Sequence, residues 1–252
     1  MQNLMMRLKS RMTSTTKAVI ECQNCKDIGW IKHTDGSYES VEPCKCTIKK
    51  QHQAIIANSG IAEGFQNKSL DGFKTEGRPE VIKKAKEAAI NYINEYRSIR
   101  KERNNSIAFV GSVGSGKTHL SIAVANELLE RGVPVRYMEY RREIDAIKRN
   151  RLDDEYYYRI IMRFKTVEVL LIDDLFKGAV KEGQLNLSDL GIMFDIINHR
   201  YLEGKPIIIS SEYNMKQLIN MDEATGSRIL EMCRGRVMDI SGKGTNYRIR
   251  GI

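Results

Sequence analysis

The sequence contains no run of 18 apolar residues, and no apolar block follows the basic residues Arg7, Lys9, Arg11 and Lys17. Membrane-spanning helices need about 20 consecutive apolar residues, and a secretory leader needs an apolar stretch before a small-residue cleavage site. Neither pattern occurs, so no membrane association is expected and a cytoplasmic location is. Prolines are few, 4 in 252 residues, and no internal repeat or low-complexity tract interrupts the chain. That composition argues against a disordered tail. Cysteine is almost missing outside one stretch: four of the 5 lie between residues 22 and 46, and Cys233 stands alone. In a reducing cytosol such a cluster reads as a metal site before it reads as disulfides. Acidic residues are short by nine, 32 against 41 Lys and Arg, which gives a net charge of +9. A basic surface attracts phosphate-rich polymers, so nucleic acid is the first partner expected.

What is present divides by composition. Residues 1–18 are basic and expected to form a short helix, and the N-terminal part through residue 56 holds the cysteines. Residues 57–78 are polar and punctuated by Gly60, Gly64, Gly72 and Gly77, which marks a connector. Residues 79–252 alternate helical and strand patterns, the signature of an α/β domain built on a parallel sheet. The spacing predicts helices over 79–98, 117–130, 187–202 and 215–232, and one or two charged helices over 141–163. Strands are predicted over 106–110, 133–137, 167–172 and 206–210, with 236–250 extended.

Gly111-Ser112-Val113-Gly114-Ser115-Gly116-Lys117-Thr118 fits the phosphate-loop pattern in full and stands between an apolar strand and a helix, where that pattern has physical meaning. Glycines let successive backbone N–H groups converge on a phosphate, and the helix beginning at Lys117 adds its positive dipole end. Lys117 is expected at the β- and γ-phosphates of ATP, and the Thr118 hydroxyl in the coordination shell of Mg²⁺, with His119 following beside the nucleotide. The run Val169-Leu-Leu-Ile-Asp173-Asp174 supplies the carboxylates. Asp173 is expected to orient Mg²⁺ and Asp174 to polarise the attacking water.

Cys22-x-x-Cys25 and Cys44-x-Cys46, separated by 18 residues, offer four soft ligands suited to tetrahedral Zn²⁺. The second pair is tight, so His33 or His52 could replace one cysteine. Trp30 and Tyr38 lie beside the cysteines and offer a docking surface. For single-stranded DNA the candidates are Arg141, Arg142, Lys148, Arg149 and Arg151, followed by Tyr156, Tyr157 and Tyr158, cations for the backbone and rings for the bases.

Gly116-Lys-Thr-His-Leu120, the pair Asp173 and Asp174, and Gly226-Ser-Arg-Ile-Leu-Glu-Met-Cys233 together resemble bacterial and phage replicative helicase loaders of the DnaC/DnaI type. These are AAA+ relatives of the initiator DnaA and of IstB transposition helpers, and the resemblance spans roughly residues 60–250. It implies an AAA+ P-loop NTPase sandwich behind a small zinc-bearing module that grips a hexameric helicase. It also implies ATP hydrolysis at a site shared between subunits of a multimer, with Arg228 matching the finger that reaches a neighbour's γ-phosphate. The strand 206–211 resembles the family's sensor strand, but Glu212 stands where a polar residue is usual, leaving Ser211, Glu212 and Asn214 as candidates. Only 16 residues follow Arg236, too few for a helical lid, so Arg234 and Arg236 are the arginines left to sense nucleotide from this end. The alternatives are a transposition helper ATPase, and a nucleotide-binding adaptor with negligible turnover.

Overall fold

The structure, a computed structural model, describes residues 22–35, 38–181 and 184–249. The basic segment 1–18 lies outside the described residues. The chain divides into two compact units, Met1–Gln51 and His52–Ile252.

In the first unit, β1 (Trp30–Asp35) and β2 (Tyr38–Pro43) form an antiparallel hairpin with Trp30 opposite Pro43 and Asp35 opposite Tyr38. The hairpin leads into α1 (Lys45–Asn58). Both strands are exposed almost throughout, and a lone two-stranded hairpin is marginal in water. Among the described residues of this unit the buried ones are Cys25 and Cys44, a pair that suits a metal-held fold better than an apolar core.

The second unit begins with the short α2 (Glu63–Gln66) and the long α3 (Glu80–Ile99). Ile82, Ala85, Ala89, Tyr92, Ile93 and Tyr96 form the buried stripe of α3, a spacing of three and four that keeps one helical face inward. Then follow β3 (Ile107–Val110), α4 (Lys117–Glu130), β4 (Val135–Glu139), α5 (Tyr140–Arg149), α6 (Asp154–Thr166) and β5 (Val169–Asp173). A small hairpin, β6 (Val180–Lys181) with β7 (Gln184–Leu185), precedes α7 (Leu187–Leu202), β8 (Ile207–Ser211), α8 (Met215–Met221), α9 (Glu223–Met232) and β9 (Val237–Asp239). The five long strands pair in parallel in the order β4-β5-β8-β3-β9. Every residue of β3, β5 and β8 is buried, as a parallel sheet with helices on both faces requires. Ile107 and Phe109 pack with α3 and α4 on one face, whereas Ala108 and Val110 pack with α5, α6 and α7 on the other. This is the three-layer α/β sandwich expected from the sequence.

Two stretches differ from the expected pattern for visible reasons, and a third, expected as one or two helices, resolves into two. The charged stretch 141–163 breaks into α5 and α6 because Asp153 accepts the Tyr156 N–H at 2.9 Å and starts a new helix. Asp222 splits 215–232: extended at φ −156° and ψ 107°, it ends α8 and caps α9 by accepting the Thr225 N–H at 2.7 Å. Of 236–250 only Val237–Asp239 is strand, and the chain then turns back so that the Tyr247 N–H donates to the Gly114 carbonyl at 2.9 Å. The glycine-punctuated segment 57–78 carries Ile61, Leu70 and Phe73 into the core beside α3 and α4.

One charged side chain lies wholly inside the fold. Arg200 is 0% exposed and donates to the carbonyls of Phe164, Lys165, Val167, Glu168 and Pro206 at 2.7–3.2 Å. It ties the end of α6, and the turn leading to β5, to the turn before β8.

Candidate nucleotide site

The sheet order places the loop after β3 beside the ends of β5 and β8, so that three strand ends converge on one cleft of about 660 Å³. That volume lies in the ordinary range of ligand clefts, roughly 300–1,000 Å³. The loop 111–116 is shaped by its glycines. Gly116 adopts φ 101° to start α4, and a Cβ there would lie 2.6 Å from the Phe73 ring, so any other residue would push away the segment that covers the loop. Lys117 is 5% exposed, and its ammonium donates to the carbonyls of Gly111 at 2.9 Å and Ser112 at 2.7 Å. Burial pulls its pKa down, while Glu212 and Asp174 hold it up. Thr118 and His119 line the same cleft.

Asp173 ends β5, 4% exposed, within hydrogen-bonding reach of the Thr118 hydroxyl. It also accepts from the Ser210 hydroxyl and, at 3.1 Å, from Tyr137. Burial raises its carboxyl pKa above the usual range, the Asp174 charge adds to the rise, and the hydroxyl donors resist it. A buried carboxylate beside a threonine hydroxyl at the mouth of a phosphate-binding loop is an all-oxygen donor set that fits Mg²⁺. Asp174 takes a left-handed backbone, φ 56°, and pairs with Lys177 at 2.8 Å. Lys177 reaches Glu212 as well, at 2.9 Å.

Of the sensor candidates, Glu212 lines the cleft. Asn214 is committed elsewhere, since its side chain caps α8 in a reciprocal box with Gln217. Ser211 donates to the Leu175 carbonyl at 2.9 Å and braces the loop after β5. Arg236 bonds the Asn104 carbonyl at 2.7 Å and Glu95 at 3.0 Å and does not line the cleft, and neither does Arg234. The arginine that the C-terminal part brings to the cleft is Arg248. Arg78 stands under the covering segment, donating to the carbonyls of Ser115 at 2.8 Å and Thr245 at 3.0 Å, with Phe73 and Tyr247 each 5.4 Å from its guanidinium. Sequence reasoning missed Phe73, Arg78, Tyr247, Lys177 and Ser210. The first three belong to segments without a motif. Ser210 lay inside a strand that reads as core, and only its place one strand away from Asp173 gives it a role.

Residues 82–251 match the family described as IstB-like ATP binding protein. The chain belongs to the IstB-like ATP binding proteins. It is 36% identical to the phage-like element PBSX protein XkdC of Bacillus subtilis (strain 168), over 92% of this chain and 87% of that protein. It is 25% identical to the replicative helicase loader DnaC of Escherichia coli (strain K12), over 98% of this chain and 96% of that protein. Among solved structures, the replication initiator DnaA bound to AMPPCP and single-stranded DNA superimposes with a TM-score of 0.55 at 26% identity, covering 71% of this chain and 51% of that one. The sandwich is thus the AAA+ P-loop fold, and the resemblance to DnaC/DnaI-type loaders holds.

In this IstB-like chain Arg228 lies on α9, and it is not among the residues lining the cleft. Its guanidinium donates to Asn198 at 2.9 Å and to the Ala224 carbonyl at 2.6 Å, with the rings of Phe194 and Tyr201 at 5.2 and 5.4 Å. The clamp presents the arginine in a fixed pose on the flank of the domain.

The four cysteine sulfurs of the first unit lie within 4.8 Å of one another, Cys22 to Cys44 at 3.7 Å and Cys25 to Cys46 at 3.3 Å. Tetrahedral zinc with sulfur ligands at about 2.3 Å sets its sulfurs about 3.8 Å apart, so the set fits that ion. The Gly29 N–H points at the Cys25 sulfur, 3.4 Å away. The Cys25 backbone N–H draws the Cys22 thiol down to about 7, whereas the Cys25 sulfur pushes Cys46 up to about 12. Four thiolates need a shared cation to ionise together. His33 bonds Glu42 across the hairpin at 3.0 Å instead of joining the cluster, and the His52 side chain lies outside the described residues.

The basic stretch is mixed. Arg142 pairs with Glu139 and Glu143, and Lys148 pairs with the buried Asp189. Tyr156 and Tyr157 pack onto the core, which leaves Tyr158 exposed with Arg141, Arg149 and Arg151. Among the described residues no helix is long and apolar enough to cross a membrane.

Proposed function

We propose that the chain is an ATP-driven loader that delivers a hexameric replicative helicase to single-stranded DNA in the cytoplasm. The observation that carries this reading is the end-to-end likeness to a helicase loader, 98% of this chain against 96% of that protein, joined to an intact nucleotide cleft. Lys117 and the amides of the loop would hold the phosphates of ATP, and Thr118 and Asp173 would hold Mg²⁺, which would supply neutralisation of the phosphate charge. Asp174 orients the attacking water. Arg228, turned away from its own cleft, serves the γ-phosphate of the adjacent subunit, so turnover requires a multimer. The division of the chain into a cysteine module through residue 56, a connector over 57–78 and a nucleotide domain from 79 fits that work, with Zn²⁺ on Cys22, Cys25, Cys44 and Cys46. The exposed Trp30, Tyr38 and Val41 of the hairpin suit a protein partner. Arg141, Arg149, Arg151 and Tyr158 are the DNA contacts retained, and a structural neighbour of this chain holds single-stranded DNA.

The test is co-purification from host extract with and without ATP. Recovery of the hexameric helicase is the expected result, and recovery of a transposase instead would establish the transposition-helper reading. One observation favours slow turnover: Asp174 is engaged by Lys177, so phosphate release should be measured with helicase and DNA present.

A further inference from the structure

Glu212 follows the end of β8 and lines the cleft that also holds Lys117 and Thr118, and a carboxylate alone there would repel a bound phosphate. The structure answers with Lys177. Its ammonium sits between Asp174, 2.8 Å away, and Glu212, 2.9 Å away, in the cleft that also holds Lys117 and Thr118. An ammonium has three donors, and these two carboxylates engage two of them.

The loop that carries Lys177 is fastened from several sides. The Leu175 N–H donates to the Ser210 carbonyl at 2.9 Å, and the Leu175 carbonyl accepts from Ser211 at 2.9 Å. Phe176 is 1% exposed and meets Tyr140 edge to face at 5.6 Å. Asp174 and Phe176 both hold left-handed backbones, φ 56° and 62°, in residues that carry side chains. Such conformations persist only where the surroundings impose them, and they concentrate at working sites. The strained turn aims Lys177 back into the cleft.

We propose that Lys177 is the contact by which this cleft tells a nucleoside triphosphate from a diphosphate. Its ammonium takes the terminal phosphate, screens Glu212 from it, and in doing so releases Asp174 toward water. This rests on the ATP-binding reading above. A diphosphate, held by the loop and Lys117, does not extend to Lys177 and leaves the ion pairs intact.

The experiment is equilibrium binding of Mg-ATP and Mg-ADP to the full chain and to Lys177→Ala, Lys177→Gln and Lys177→Ala/Glu212→Gln. Lys177 is about half exposed, so the substitutions are expected to fold. Either single variant should lose about tenfold or more in ATP affinity while ADP stays within about twofold, as for a lost charge-assisted hydrogen bond. Adding Glu212→Gln should return only the part of the loss that comes from the unscreened carboxylate and leave ATP binding well below wild type. An unchanged ATP-to-ADP ratio in the single variants overturns the proposal. So does full recovery in the double variant, since Lys177 would then only cancel Glu212. A wild-type chain that binds neither nucleotide overturns the ATP reading itself, a result distinct from both.

Discussion

Ser210 donates to the Asp173 carboxylate from the neighbouring strand and accepts the Asp174 backbone N–H at 2.9 Å, so one hydroxyl ties the side chain of one aspartate to the backbone of the next. Burial raises the Asp173 carboxyl, and the Ser210 donor opposes that rise. Protons compete with magnesium for this carboxylate, so Mg-ATP binding should weaken on acidification at a pH above that of an ordinary aspartate. Ser210→Ala removes the donor and should move that acid limb to higher pH. ATP titrations across pH check it, and an unmoved limb would contradict the assignment.

Lys117→Ala should abolish measurable turnover and weaken ATP binding by about tenfold to a hundredfold, the scale of a lost charge-assisted hydrogen bond. Fluorescent-nucleotide titration reads this directly.

Arg228→Ala should leave ATP affinity of the isolated subunit unchanged and lower assembled turnover by about a thousandfold. Mixing Arg228→Ala subunits, which keep a working loop, with Lys117→Ala subunits, which keep the finger, should restore part of the rate. No recovery on mixing would mean that the arginine does not act across subunits.

The cysteine module should bind one zinc per chain, and Cys22→Ser or Cys46→Ser should lose it. A strong chelator should then remove hairpin order, seen by amide exchange, while ATP affinity of the second unit persists. Metal analysis of the purified chain decides the first point.

Arg200→Ala would strand five carbonyls and open a cavity, a loss of about 3 to 5 kcal/mol. Chemical denaturation measures it. Arg200→Lys should recover little, because a single ammonium cannot serve carbonyls spread from Phe164 to Pro206.

Motif-bearing parts of the site were legible in the sequence because phosphate chemistry restricts them. The loop 111–118, the two aspartates and the four cysteines each need particular atoms at particular spacings. Helices such as Lys117–Glu130 and Leu187–Leu202 were also readable to their ends, since the phosphate loop fixes the start of the first and Asn186 caps the second. What escaped was set by the third dimension. The connector 57–78 reads as polar, yet Phe73 reaches the loop because Gly116 has no side chain to keep it away. Arg248 and Lys177 look like ordinary surface cations until the sheet order brings their segments to one cleft. Asn214, a candidate sensor by position, is taken by the capping box with Gln217 that starts α8.

The bend at Asp222 has a mechanical consequence. With one residue serving both helices, and with Gly226 so close to Ile219 that a Cβ would lie 2.6 Å from its Cα, α8 and α9 form a stiff elbow. One arm of the elbow starts just past Glu212, and the other carries Arg228. On the proposed reading, a shift of the strand end at the cleft would pass through this elbow to the arm that bears Arg228, linking the nucleotide held here to the arginine offered to the next copy.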